Sequence, residues 1–163
     1  MYKRQKLFER IPNQIKINLS RLSISATSGT LVPCGLNGIN LGNAIPYNEA
    51  CTSNSKKLNL IAGEDKFLNN PYSSVAKAIK LIDTFGENII LRHQSDWISG
   101  WFLKDWSYGE ESNNLKLGWN TANKSWPESF DSFSLKKSLP LIIKSGSIFG
   151  KINQSIANLL GTN

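Results

Sequence analysis

NPYSSVAKAIKLIDTFGENIILR, residues 70–92, carries the densest run of structural signals in this chain. Asn70 is a suitable helix N-cap, Pro71 fits the first helical position, and Gly86 stands where a left-handed residue would follow the last turn. Between them Val75, Ile79, Ile82 and Phe85 recur at helical spacing, flanked by Ala78 and Leu81, with Lys77 and Lys80 expected to face water. The spacing predicts a helix over 71–85. Gly86-Glu87-Asn88 then turns the chain into Ile89–Arg92, a predicted strand. This helix-to-strand unit anchors the rest of the fold.

Towards the C-terminus the composition becomes aromatic. As a strand, Asp96–Tyr108 would place Trp97, Ser99, Trp101 and Leu103 on one face, with Ile98, Gly100, Phe102 and Trp106 mainly on the other. As a helix, Trp97/Trp101 and Ile98/Phe102/Trp106 fall four residues apart, with Ser95 as N-cap and Gly109 past the end. Gly100 costs a helix interior roughly 1 kcal/mol relative to alanine. The strand is therefore preferred, forming a hairpin with Leu115–Trp119 across the turn residues Ser112-Asn113-Asn114. Both faces of such a strand are aromatic, so another element, a partner or a ligand must cover the second one. After a polar connection over 120–138, Leu139–Ile143 reads as a buried strand. Phe149, Ile152, Ile156 and Leu159 then predict a helix over 148–160, capped by Ser147.

Towards the N-terminus the signals weaken. Ile15, Ile17 and Leu19 alternate as in a strand, and so do Leu22, Ile24 and Ala26; Ile11, Ile15, Leu19 and Leu22 would equally make a helical stripe. The intervening Asn and Ser residues favour strand with a bend. Residues 27–56 read as one long Gly/Asn/Ser-rich loop broken by Gly29, Gly35, Gly38, Gly42, Pro33 and Pro46, and Leu58–Ile61 as a short strand. Cys34 and Cys51 lie in that loop, where a disulfide and two buried thiols are both compatible with the sequence. Met1–Gln5 is what ATGTATAAGAGACAG encodes, which resembles the end of a transposase adapter. Those residues are set aside as a processing scar, and the true N-terminus is left open.

The chain has the usual size of one domain, and its 163 residues can bury a core without metal or disulfides. Residues 6–163 are expected to form a single α+β domain. Its small antiparallel sheet would span about 89–119 and 139–143, with helices 71–85 and 148–160 packed on it. No apolar run approaches the roughly 18–20 residues needed to span a bilayer. The formal charge of +7 drops to +5 without Lys3 and Arg4, and 15 lysines face only 4 arginines. Base readout favours the guanidinium fork, so this balance supports only weak, salt-sensitive attraction to nucleic acid.

Chemistry is sparsely marked. His93 is the only histidine and no CxxC occurs, so neither a metal site nor a cofactor is expected. A base oriented by Asp96 is conceivable for His93, but no nucleophile is placed beside it, and a polar strand end bonded to backbone is the simpler reading. Gly146–Lys151 lies between a strand and a helix as a phosphate loop would. Its spacing is one residue short, however, and Ile152 stands where a metal-binding hydroxyl is needed. Gly35, Gly38 and Gly42 miss the dinucleotide spacing, and Glu64-Asp65 and Glu110-Glu111 read as solvated turns. The five tryptophans remain. Core packing is their simplest use; a recognition surface of Trp97, Trp101, Trp106 and Trp119, helped by Gln94 and Asn120, would take a carbohydrate or a protein partner. A non-catalytic binding or assembly module is the first expectation. A C-terminal fragment of a larger transferase or hydrolase is the second, and a basic nucleic-acid-binding domain the third. No motif is specific enough to name a family.

Overall fold

The computed structural model describes residues 2–162, with side chains from Lys6 onward. The scar assigned to Met1–Gln5 falls on Met1, outside the described residues, and on Tyr2–Gln5, of which only the helical backbone is described. In chain order the elements are α1 (Tyr2–Glu9), α2 (Asn13–Lys16), β1 (Leu31–Cys34), α3 (Ser55–Ala62), α4 (Ser74–Phe85), β2 (Ile90–His93), α5 (Gln94–Leu103), β3 (Tyr108–Glu110), α6 (Glu111–Asn114), β4 (Leu141–Ile143) and α7 (Gln154–Leu160). Short 3-10 segments cover Leu115–Leu117, Glu128–Phe133 and Lys136–Ser138. The class is α+β with a small antiparallel sheet, as expected, but the strands are differently assembled.

The helix-to-strand unit of residues 70–92 is present. α4 begins later than expected because Ser73, not Asn70, caps it: Ser73 Oγ accepts the Ala76 N–H at 3.1 Å. Asn70 is occupied one turn earlier, where its side chain accepts from Tyr72 N–H and donates to the Phe67 carbonyl. The helix is buried almost all round, Lys77 included. β2 pairs antiparallel with β1, Leu31 opposite His93 and Cys34 opposite Ile90. The stretch expected to be loop therefore holds a strand. Its breakers stand around a four-residue buried run, and Pro33 sits within it because its carbonyl, rather than an N–H, serves the next segment by accepting Leu41 N–H.

The predicted hairpin of 96–119 is corrected. Residues 94–103 are helical and 115–117 form a 3-10 turn. The strand expected at 139–143 is β4, and it pairs in parallel with β3, Tyr108 opposite Leu141. Gly100 is accommodated because it is needed for packing: a Cβ there would lie 2.3 Å from the Trp106 indole, and one at Gly38 would lie 2.1 Å from it. Trp106 fills a notch between the two glycines, and its burial outweighs the propensity cost.

Two apolar clusters flank α5. Trp101 and Phe102 pack with Phe8, Ile156 and Leu160, supported by Ile11, Leu19, Ile24 and Ile152. Trp97 packs against Val32, Cys34 and Ile90. The aromatic element's second face is thus covered by the chain's own two ends. This also explains the correction at 11–26, where Pro12 opens the short helix α2 and the apolar residues beyond it dock individually on α5 instead of alternating in a sheet. The main core joins α3, α4, Leu31 and Leu91 to Leu117, Phe130 and Leu135. Leu58–Ile61 lies in α3 rather than in a strand. α7 starts at Gln154 with Asn153 as its cap, because the extended stretch around Gly150 delays the helix beyond the expected Ser147.

Candidate functional site

β1 and β2 are antiparallel, so the start of one meets the end of the other, and polar side chains collect at that junction. Gln94 N–H donates to the Thr30 carbonyl at 3.1 Å, closing the end of the pair. A side chain built at Gly29 would touch Tyr47 Cβ at 3.5 Å and Ser74 Oγ at 3.9 Å, which brings the 43–54 loop and the start of α4 to the same place. His93 is 1% exposed here, and Ser74 and Ser95 are buried with it. Neither ring nitrogen of His93, nor Ser74 Oγ, nor Ser95 Oγ has a well-formed hydrogen bond. Burial pushes the His93 imidazole down to about 4, with the Thr30 backbone pulling the other way, so the ring is neutral at physiological pH.

Lys77 ties the junction to the loop. Its Nζ donates to the Tyr47 carbonyl at 3.1 Å and the Tyr72 carbonyl at 2.6 Å. Burial lowers its affinity for the proton, with Cys51 and Glu49 pulling the other way. Tyr47 (56%), Tyr72 (57%) and Gln94 are exposed. Among the described residues no three His, Cys, Asp or Glu groups are placed to hold an ion.

A second polar network lies behind α5. Asp96 Oδ1 accepts Glu110 N–H at 3.0 Å and Oδ2 accepts Asn114 Nδ2–H at 2.9 Å. Burial raises the Asp96 carboxyl to about 6 against those two donors and Arg92. Arg92 in turn donates to the carbonyls of Trp106 and Ser138 at 2.6 and 2.8 Å. Asp96 does not orient His93; its oxygens are spent on β3 and α6. The network fastens α5 to the parallel pair, leaving Asn114 Oδ1 and Ser138 Oγ buried without a hydrogen bond.

The residues of the sequence-derived recognition surface lie in different surroundings. Trp101 is buried, while Trp97 and Trp106 are half-buried and donate their indole N–H groups to the Gly38 and Trp97 carbonyls. Gln94 belongs to the junction described above. Trp119 and Asn120 lie together elsewhere, in a groove of about 430 Å³ between Phe67 and Leu115. Nothing in the local sequence indicates that Lys77 and Gly29 bring Tyr47, Tyr72 and Ser74 near one another. Gly146–Lys151 is exposed and non-helical, with no helix N-terminus at its amides. Cys34 and Cys51 are free thiols in different clusters, which closes the disulfide question, and burial pushes Cys34 up to about 12. Among the described residues no helix is long and apolar enough to cross a membrane.

No family model matches the chain. Its fold is similar to part of the crystal structure of Plasmodium falciparum glycerol kinase with ADP, at a TM-score of 0.66 and 17% identity. The likeness covers 95% of this chain and 36% of that one, so the chain spans about a third of that kinase's length. At this identity the likeness is one of fold.

Proposed function

We propose that this chain is part of a larger phosphotransferase and contributes the wall that holds a small polyol acceptor. The observation that carries the reading is the fold likeness over nearly the whole chain to about a third of a glycerol kinase. The end of the β1/β2 pair is compatible with it: Gln94 is exposed there, and the loop that carries the exposed Tyr47 reaches the same end. In this role Tyr47 and Gln94 would contact the acceptor, and Lys77 would hold the Tyr47 loop in register. Phosphoryl transfer is chiefly a matter of positioning and charge stabilisation, so one part of the enzyme can hold the acceptor while the nucleotide is held by another. Of the expectations from sequence, this favours the larger-transferase alternative over the free-standing binding module.

The test is to extend the coding frame in the source DNA, express the long protein and follow ATP-dependent phosphorylation of glycerol and related small polyols. Turnover is expected, with Tyr47→Ala raising KM for the acceptor by about tenfold at an unchanged KM for ATP. A frame closed on both sides, or a long protein that transfers no phosphoryl group to any polyol, overturns the reading.

A further inference from the structure

We propose that the groove around Trp119 is a binding site for a pyranose sugar. It is built from residues outside the β1/β2 junction and stands or falls apart from the phosphotransferase reading. Two rings form it. Phe67 is 52% exposed on one side, and the half-buried Trp119 on the other is held on two edges. Its indole N–H donates to Glu111 Oε1 at 3.4 Å, and Trp126 meets it edge-on at 5.2 Å and 66°. Trp126 itself stacks on the buried Phe130 at 6.4 Å, so the orientation of Trp119 is set from the core. Gly118 supplies the floor: a Cβ there would press on Phe130, Leu68 and Pro127 at 3.2–3.3 Å, so the chain can lie this close only without a side chain.

Polar atoms converge on the same groove. Asp65 Oδ1 is used by the Phe67 and Leu68 amides, and Oδ2 takes no hydrogen bond from a described residue. Asn120 Oδ1 accepts from Ala122 and Asn123 N–H, which fixes the side chain, and its amide N–H groups donate to no described residue. Thr121 adds a hydroxyl at the edge. A braced indole, an exposed phenyl ring, a carboxylate oxygen and amide donors around about 430 Å³ match a ring with an apolar face and equatorial hydroxyls. An anionic ligand is disfavoured by Asp65, and the Lys116 ammonium sits over the Phe67 ring at 4.9 Å instead of in the groove.

The experiment is a two-dimensional amide and indole NMR titration of the full chain with maltotriose, cellotriose and mannotriose, each to about 20 mM, a range suited to a shallow site. At least one sugar is expected to move the Trp119 indole and the Asn120 and Thr121 amides saturably. Phe67→Ala and Asp65→Asn are each expected to weaken that binding by about fivefold or more. Both variants keep the fold: Phe67 is exposed, and in Asp65→Asn the side-chain amide oxygen would still accept from the turn amides. No saturable shift with any of the three sugars overturns the proposal. So does a shift that both variants leave unchanged, or one produced by ATP and not by sugar.

Discussion

Gly100 shows how a residue can mislead locally and be right globally. In isolation it lowers the helical tendency of 94–103, yet its missing side chain is where Trp106 sits. Gly100→Ala therefore raises helix propensity and still destabilises: a methyl group 2.3 Å from an indole must displace the ring from both Gly100 and Gly38. Overpacking of this kind costs about 1–3 kcal/mol, read as a lower midpoint in urea unfolding. A variant as stable as the parent would show that the notch is not tight. Two buried titrating residues make a second test at this scale. His93 falls from 6.5 to about 4 on folding, so its neutral burial supports the fold above pH 6.5 and is lost as pH drops towards 4. Asp96 rises from 3.8 to about 6, so its ionisation penalises the fold above pH 6, and the penalty is relieved as pH drops towards 4. The two effects oppose each other over one window, each on the order of 3 kcal/mol at about 1.4 per pH unit. The unfolding free energy between pH 4 and 6.5 thus carries two opposing slopes in the parent. In His93→Gln it should fall as pH rises through that window, and a flat profile there would mean that Asp96 is not buried as described.

At the scale of elements, α4 was legible because apolar spacing, an Asn-Pro start and a terminating glycine all describe one helix, although the cap is Ser73 and not Asn70. What it concealed was the fate of Lys77. A lysine among apolar positions reads as solvent-facing, but here the helix is enclosed and the ammonium is satisfied by two backbone carbonyls instead of water. Lys77→Met fills the same volume and leaves those carbonyls without a donor. The segment 43–50 is then expected to be cut several-fold faster in limited proteolysis, with helix content by circular dichroism unchanged. Equal cleavage rates would mean that the Lys80–Glu49 ion pair and the Cys51–Pro71 backbone bond hold the loop unaided. α5 was not legible for the opposite reason. Its residues satisfy period 2 and period 3.6 equally well, and the decision came from the Trp106 notch, half of which is Gly38 on a distant part of the chain.

At the scale of the molecule, the α+β class, the helix-to-strand unit at its centre and the C-terminal strand and helix follow from the order of the residues, since periodicity, caps and turn residues act over neighbours and need nothing distant. The existence of chemistry-bearing candidates was also visible: His93, the tryptophans, Gln94 and Asn120 are the right residue types. Their grouping was not. Trp101 became core because Phe8 and Leu160, from the two ends of the chain, close over it; Gln94 went to the end of the β1/β2 pair, on Thr30, while Trp119 and Asn120 went to Phe67 and Asp65. β1 emerged from a stretch full of breakers because β2 was there to pair with it. Local order thus settles which elements can form, because helix and turn energies are short-ranged. Which faces are buried, and which polar groups are left without partners, depends on contacts between residues far apart in the chain, and those exist only once the chain is folded.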